Sequence, residues 1–263
     1  MTEPASTPLT PAAATKASPR LVVDVTIAAP IARVWQALRD PALLAQWFGW
    51  DYDKLAEEIE VIFLTSAVGE DAGRRLDLGG DVFELEAIGG STRVRLVRAE
   101  AAASDTWDGV YDDVDEGWRT FVAQLAFWLE AQHGVDRAAS PRRTIYLAGH
   151  REHADSPSLV AAAGLAAVDS LAVGDRYALT AVTGEALAGV VRYQTEHQIG
   201  LSVDAWGPGL LVLAGRPPSP KSPHGGGFVL ITTFGQRDEV LAGLGAAWAA
   251  AWRRAFVRVS QLT

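Results

Sequence analysis

The hydrophobic and polar positions at the start of the chain predict one strand followed by two short helices. Residues 21–30, LVVDVTIAAP, alternate apolar and polar side chains, as a strand with one solvated face does. In residues 31–40, IARVWQALRD, the apolar positions recur three and four apart, which predicts a helix with one inward face. The segment PALLAQWFG follows, with proline at its start and glycine at its end, and predicts a second helix.

Residues 57–99 change to a period of two, which predicts strands. Glycine-containing turns separate four alternating segments, EIEVIFLT, GRRLDLG, DVFELEAI and STRVRLVRA. Strands this close in sequence are expected to form an antiparallel meander. Residues 115–130, DEGWRTFVAQLAFWLE, then predict one long helix that carries four aromatic rings.

The second half of the chain repeats this order less clearly. Residues 143–149 predict a first strand, and residues 156–168 predict a helix with Ser156 as its cap. Five further segments predict strands, namely RYALTAV, EALAGVVRYQTEH, QIGLSVDAW, GLLVLAG and FVLITTF. Residues 238–256 predict the final helix. Because both halves have the order strand, helix, sheet and long helix, internal duplication is the economical explanation.

The length of the chain fits two domains better than one. Its 263 residues exceed the size of a typical domain, and its 49% hydrophobic content is enough to build cores. A tail rich in proline, alanine and threonine comes first. We therefore expect a disordered tail over residues 1–19 and two domains over residues 20–135 and 141–260.

Tryptophans mark the beginnings and ends of the predicted helices in the first half. The proline-started helix carries Trp35, the next helix ends in the pair Trp47-Phe48, and the long helix begins with Gly117-Trp118. These motifs resemble the START-like (SRPBCC), helix-grip superfamily. More specifically, they are similar to the branch named for homologues of the ATPase activator of the ninety-kilodalton heat-shock chaperone.

The resemblance implies an α+β fold with two tandem helix-grip domains, each a curved antiparallel sheet closed by a long C-terminal helix. The motifs that carry the resemblance lie within residues 21–131. The second half is similar only in pattern, because it lacks the Pro-x-x-Val-Trp helix start and the Trp-Phe-Gly helix ending. The space under the long helix is then either solid core or an apolar pocket for a small ligand.

Eight residues are the candidates for lining such a pocket. Seven contribute ring area, and the eighth, a tyrosine, would be a polar anchor: Trp35, Trp47, Phe48, Trp50, Trp118, Phe121, Trp128 and Tyr111. The first functional hypothesis is therefore a carrier or sensor, not an enzyme, that binds a small apolar or aromatic ligand.

Two further functions follow from the resemblance. One is a co-chaperone that stimulates the heat-shock chaperone ATPase, although no counterpart of the activators' separate amino-terminal module is recognisable. The other is a polyketide cyclase-like lyase. A lyase would require titratable groups that converge inside the cavity, and the strand-borne candidates His197 and Glu84 are not clearly directed inward.

Charge and composition exclude several classes of function. The net charge of -9 opposes binding to nucleic acid, whose phosphates require clustered basic residues. Without cysteine the chain has no disulfide and no thiolate metal site, which is compatible with a cytoplasmic protein. No apolar run is long enough to span a membrane. We expect no cofactor and no metal.

The remaining motifs are interpreted as loops and not as catalytic or metal-binding sites. The segment PHGGG is similar to the oxyanion loop of esterases, but the chain has no Gly-x-Ser-x-Gly nucleophile elbow. His150 and His153 have the spacing of helical metal ligands, yet no third ligand is recognisable and an exposed turn is favoured. The acidic segment 104–118 lacks the order of a calcium loop.

Overall fold

The computed structural model describes residues 19–98, 111–131, 140–220 and 222–262, which form two antiparallel sheets and two long helices. Nearly all of the predicted tail lies outside the described residues, as do residues 104–110 of the acidic segment. No helix among the described residues is long and apolar enough to cross a membrane.

The first unit contains a five-stranded sheet with the strand order β1-β5-β4-β3-β2. Its strands are β1 (Arg20–Ile27), β2 (Val68–Glu70), β3 (Arg75–Asp77), β4 (Asp81–Ile88) and β5 (Ser91–Arg98). Its helices are α1 (Ile31–Ala37), α2 (Pro41–Leu44), α3 (Leu55–Ile59) and the long α4 (Tyr111–Ala131). Asp40 caps α2, because its side chain accepts a hydrogen bond from the Ala42 amide at 2.9 Å.

The second unit contains a seven-stranded sheet with the order β12-β6-β11-β10-β9-β8-β7. Its strands are β6 (Arg142–His150), β7 (Arg176–Thr180), β8 (Ala186–Gln194), β9 (Gln198–Ser202), β10 (Leu210–Arg216), β11 (Gly226–Phe234) and β12 (Val257–Leu262). Its helices are α5 (Leu159–Ala162) and the long α6 (Asp238–Ala255). The last strand, β12, was not predicted.

The two units have the same topology. In each, the first strand pairs antiparallel with the strand that comes last before the long helix, so β1 pairs with β5 and β6 pairs with β11. The meander continues outward from that pair in both sheets. This confirms the predicted α+β fold of two tandem helix-grip units, each with a long C-terminal helix.

The second sheet is buried on both of its faces. On one face Tyr146, Val212 and Leu230 belong to the same core as the first unit. On the other face, alternate residues such as Ile231 pack in a core with α6. Every residue of β11 is consequently buried, which explains why this strand is a nearly continuous apolar run.

Helix α4 lies between the two sheets. The Trp118 ring is 5.5 Å from the ring of Phe83 in β4 of the first sheet. On the other side, the Phe127 ring is 6.5 Å from the ring of Phe234 in β11 of the second sheet. A helix that packs on two sides needs apolar surface on two faces, which accounts for its four aromatic rings.

The predicted strand over residues 58–65 is wrong, because this segment is helical. Residues Leu55–Ile59 form α3 and residues Glu60–Thr65 continue it as a π-helix. Ile59 and Phe63, four residues apart, are both buried, whereas Val61 and Leu64 are exposed. Apolar residues in a short run fit both periods, and the helical spacing is the one that buries these two side chains.

The predicted helix over residues 156–168 is shorter than expected. It ends as α5 at Ala162, because Gly164 adopts a φ of 78° that turns the chain. Its cap is Ser158 and not Ser156, since the Ser158 hydroxyl accepts a hydrogen bond from the Ala161 amide. Residues Ala166–Ser170 form a separate 3-10 turn.

A buried arginine joins the second unit to the first. The Arg142 side chain is 2% exposed, and its Nη1 donates to the carbonyl oxygens of Phe48 at 2.8 Å and Gly49 at 3.0 Å. Its Nη2 donates to Asp51 Oδ1 at 3.3 Å. Burial lowers the pKa of Arg142 to about 10, so the guanidinium stays charged at neutral pH.

Neighbouring contacts extend this junction along β6. The Asp51 amide donates to the Thr144 hydroxyl at 2.6 Å, and the Thr144 amide donates to Asp51 Oδ2 at 2.8 Å. The Gly49 carbonyl also accepts a hydrogen bond from Gln124 of α4 at 3.0 Å. The end of the Trp-Phe-Gly segment is therefore where the second unit docks on the first.

The substitution Arg142→Met tests this junction. It is expected to lower the free energy of unfolding by about 3 kcal/mol, because two carbonyl oxygens and Asp51 lose a buried charged donor. Urea denaturation of the full chain measures the effect. Arg143→Met is the matched control. Arg143 is half-exposed, pairs with the exposed Asp238 and lies 3.9 Å from Asp51, so its loss should cost less than about 1 kcal/mol. Equal losses in the two variants would contradict the role of Arg142.

Candidate functional site

Four of the predicted ligand-lining residues lie together in an aromatic cluster centred on Phe48. The Phe48 ring lies 5.9 Å from Trp47, 6.0 Å from Trp118 and 4.8 Å from Phe121. Phe63 of the π-helix completes the cluster, with its ring 4.9 Å from that of Phe48. Edge and tilted contacts at these distances are typical of a well-packed interior.

Trp50 contacts the second unit. Its ring stacks on that of Tyr146 in β6, with centroids 4.1 Å apart and an interplanar angle of 13°. It also lies 6.1 Å from the Phe121 ring. Trp50 therefore connects the aromatic cluster to the junction between the units.

The other three predicted residues are elsewhere. The Trp35 indole donates to Asp71 at 2.8 Å, and the guanidinium groups of Arg39 and Arg74 lie over its ring. Trp128 is fully buried in the core of the first unit. Tyr111 is the first residue of α4, and its side chain lies outside the described residues. That these eight residues line a ligand cavity stays a prediction.

A groove runs along the flank of α4 between two strand edges, and we call it the α4 groove. Its volume is about 320 Å³. One wall is β1, the outermost strand of the first sheet, and the other is the end of β8 at Arg192–Thr195. This end of β8 extends beyond its pairing with β7, which stops at Val190. Both walls therefore present strand edges.

The floor of the α4 groove is apolar and its rim is charged. Val122, Ala123, Ala126 and Phe127 of α4 provide the floor. Eight polar side chains border it: Asp24, Thr26, Arg119, Glu130, Arg192, Tyr193, Gln194 and Thr195. Glu130 holds the rim together, because it pairs with Arg192 across the groove and accepts a hydrogen bond from the Ala28 amide at 3.0 Å.

A buried polar network closes one end of the groove. The Gln198 amide nitrogen donates to Glu116 Oε2 at 2.5 Å and to the Glu116 carbonyl at 2.7 Å. The hydroxyls of Thr120 and Tyr193 both donate to Gln198 Oε1 at 2.9 Å. Arg119 pairs with the same Glu116 carboxylate. The network links α4 to β8 and β9 and fixes the rim residues Arg119 and Tyr193.

The Tyr193 hydroxyl is a hydrogen-bond donor over a wide pH range. Burial raises the pKa of Tyr193 well above its usual value, and the nearby negative charge of Glu116 raises it further. The phenol therefore keeps its proton, which it donates to Gln198 Oε1.

The sequence analysis missed these groove residues. Ala123 and Ala126 lie between the aromatic residues of a predicted helix, and small apolar side chains carry no recognisable signal. Arg192 and Tyr193 were placed in a strand, but their approach to α4 depends on how the units dock. The titratable candidates that were named lie elsewhere: Glu84 pairs with Arg95 on the sheet surface, and His197 lies in the β8–β9 turn and not in a strand.

The histidine motifs provide no metal centre. His150 ends β6, and its Nδ1 lies 2.8 Å from the Ser222 hydroxyl, whereas His153 is exposed. Within the described ranges, no three histidine, aspartate or glutamate side chains are placed to hold a metal ion.

Comparisons with known proteins found similar solved structures but no matching family model and no matching curated protein. The di-domain ARO/CYC BexL from the BE-7585A biosynthetic pathway is 14% identical, covers 91% of this chain and 93% of its own, and gives a TM-score of 0.35. The di-domain ARO/CYC StfQ from the steffimycin biosynthetic pathway is 15% identical. The match covers 88% of this chain and 91% of StfQ, with a TM-score of 0.32. DynU16, from the dynemicin biosynthetic locus, is 16% identical, with 89% and 94% covered and a TM-score of 0.28.

Likenesses of this strength carry no argument about the activity of this chain. The helix-grip fold rests on the strand order and the long helices described above. The narrower similarity to the branch of chaperone ATPase activators stays a prediction, as does the co-chaperone function that it implies.

Tyr193→Phe tests the buried phenol. The pKa of the Tyr193 phenol is higher in the folded protein than its unfolded value of about 10. The neutral phenol therefore contributes its full stability below about pH 10, and that contribution is lost as the pH rises toward the folded-state pKa. The difference in phenolate absorbance between the wild type and this variant should stay near zero at about pH 10. At neutral pH the variant should lose about 1 kcal/mol of stability, since Gln198 loses one donor. A phenolate difference that appears at about pH 10 would contradict the burial of this hydroxyl.

Proposed function

We propose that this protein binds a small, largely apolar or aromatic molecule in the α4 groove. The observation that carries the proposal is a space of about 320 Å³ with an apolar helix floor and a few polar groups at its rim. Pockets for small ligands are typically about 300 to 1,000 Å³ in volume and have this distribution of apolar and polar surface. Binding as a carrier or sensor requires only shape, burial and orientation.

Small side chains on α4 create the space. Ala123 and Ala126 are three residues apart on the helix and both face the groove. Most other apolar positions of α4 carry large side chains that pack against one of the sheets. Alanine at these two positions leaves the helix surface open between β1 and β8.

The rim would orient the ligand. Arg119 and Arg192 supply donors. Tyr193 already donates to Gln198, and Glu130 is engaged with Arg192 and the Ala28 amide. A ligand with an oxygen acceptor on an apolar or aromatic body fits this arrangement. The aromatic cluster around Phe48 would act indirectly, by holding α4 in place on the first sheet.

Native mass spectrometry tests the proposal. Protein purified without denaturation is expected to carry a small molecule that organic extraction releases. The variant Ala126→Trp should lose this molecule, because an indole at that position fills the groove. If the tryptophan variant fails to fold, Ala126→Leu gives a milder version of the same test.

Ala250→Trp is the matched control, because Ala250 is an exposed alanine on the other long helix, α6. It should keep the bound molecule. Thermal unfolding confirms that each variant is folded. Equal occupancy in folded Ala126→Trp and in the wild type would place the ligand outside the α4 groove and overturn the proposal.

A second candidate is a polyketide cyclase-like lyase, which the chemistry of the rim favours. The α4 groove brings two guanidinium groups, of Arg119 and Arg192, to one rim. Cations can stabilise an enolate oxygen during ring closure, and the closure is completed by loss of water.

A linear poly-β-ketone thioester tests this activity. A cyclase would convert it into a cyclic product that has lost one water, detected by liquid chromatography and mass spectrometry. Arg119→Met and Arg192→Met should each slow the reaction by about 10²-fold if these groups stabilise the enolate. A simple binding protein would give the same product distribution as the solution without protein.

A further inference from the structure

One wall of the α4 groove is the free edge of a strand. β1 is the outermost strand of the first sheet, and among the described strands it pairs with β5 alone. Five consecutive residues of β1, residues 22–26, line the groove. Because side chains alternate between the two faces of a sheet, a groove that touches each residue in turn runs along the edge of the strand. The groove therefore borders backbone N–H and C=O groups.

The backbone groups of Asp24 and Thr26 point away from β5. In an antiparallel strand, successive residues bond alternately to the neighbours on either side. The tight β4–β5 hairpin closes at Ile88 and Ser91, so Ser91 and every second residue after it bond to β4. The remaining residues of β5 bond to β1, and they lie opposite the residues that alternate with Asp24 and Thr26.

The Ala28 amide agrees with this direction. It lies two residues beyond Thr26 and donates to Glu130, on the rim of the groove, at 3.0 Å. By the same alternation, the amides of Thr26 and Asp24 are on that side of β1. No group among the described residues bonds to them there. A carboxylate thus takes the place of a neighbouring strand at Ala28, whereas the next two amides on this edge have no such partner.

The facing wall of the groove has the same character. Gln194 lines the groove near the end of β8, beyond Val190, the last residue of β8 that pairs with β7. The Thr195 amide donates to the Gln198 carbonyl at 2.8 Å, so alternation directs the backbone groups of Gln194 away from β9. Backbone groups of two strands therefore bound the α4 groove, with an apolar helix surface between them.

The side chains of the groove leave no charge for a ligand to neutralise. Four charged residues line it, and each is paired within the protein: Asp24 with Arg93, Arg119 with Glu116, and Glu130 with Arg192. An ionic ligand gains little where every charge already has a partner. Main-chain amides are neutral, and their donors and acceptors match those of a strand edge. The groove therefore fits an uncharged molecule with an extended amide backbone.

We propose that the ligand of the α4 groove is a short, uncharged peptide in an extended conformation, which adds a strand to the free edge of β1. Its amides pair with the backbone groups of Asp24 and Thr26, and its small apolar side chains lie on Ala123 and Ala126 of α4. Main-chain hydrogen bonds give such strand addition its affinity. The proposal rests on the proposed function, since it names the chemical class of the molecule that the α4 groove binds.

Titration with N-acetyl-valyl-alanyl-valine N-methylamide, followed by NMR of the full chain, tests the proposal. Binding of this neutral tripeptide should move the amide hydrogen signals of Asp24 and Thr26 downfield, because these hydrogens gain acceptors. An analogue in which ester oxygens replace the three residue N–H groups keeps the shape and loses the donors. It should bind at least about tenfold more weakly. Equal affinities of the tripeptide and the ester analogue would overturn the proposal.

Proline at position 26 removes a donor that faces the groove. Thr26→Pro should weaken tripeptide binding at least about tenfold, and a strand edge with an unpaired N–H tolerates proline. Unchanged binding in folded Thr26→Pro would contradict the pairing with β1. If Thr26→Pro does not fold, the ester analogue decides the question.

Ala178→Pro is the matched control, because Ala178 is exposed on β7, the outermost strand of the second sheet. The Ala181 amide donates to the Glu185 carbonyl across the β7–β8 hairpin, so alternation directs the Ala178 amide to the free edge. This variant should bind the tripeptide as the wild type does. Tripeptide binding that persists in folded Ala126→Trp would place the peptide outside the α4 groove and overturn the proposal.

Hydrogen exchange of the peptide-free protein identifies any other occupant of the edge. The amides of Asp24 and Thr26 are expected to exchange rapidly. Slow exchange at every protein concentration would mean that residues 1–18 cover the edge, and slow exchange only at high concentration would mean that a second copy does. Either result would overturn the proposal. If a molecule copurifies in the α4 groove but the tripeptide and its ester bind equally, the proposed function stands and only the peptide class is wrong.

Discussion

The burial of α4 between two sheets is the constraint on which the rest of the structure depends. A helix that packs on one sheet needs one apolar face, but α4 contacts β4 through Trp118 and β11 through Phe127. Because both faces are dehydrated, the polar side chains on α4 must be paired within the protein. Gln124, for example, donates to the Gly49 carbonyl and accepts from the Thr232 hydroxyl. The two units therefore share one core.

This shared core also determines where a ligand has room. The rings that a helix-grip protein could use to line an internal pocket pack against one another around Phe48, and Trp50 packs against the second unit. Space opens on the flank of α4, where alanines replace large side chains. The docking of the second sheet supplies the opposite wall of that space from β8, so the α4 groove exists only in the two-unit protein.

The charges around the α4 groove are satisfied within the protein. The buried Glu116 is bonded by Gln198 and Arg119, and the rim pairs Glu130 with Arg192. This arrangement suits a ligand held mainly by apolar contact.

The sequence by itself determined most of the order of elements, because alternation and helical spacing are local properties of the chain. The resemblance of its tryptophan motifs implied the helix-grip fold. The periodicity rules failed over residues 58–65, where a short apolar run fits both periods and only burial of Ile59 and Phe63 selects the helix. Tertiary structure alone decided that Arg142 would join the units and that Ala126 and Arg192 would meet at one groove. Contacts between residues so distant along the chain depend on how two folded surfaces fit, and no local pattern encodes that fit.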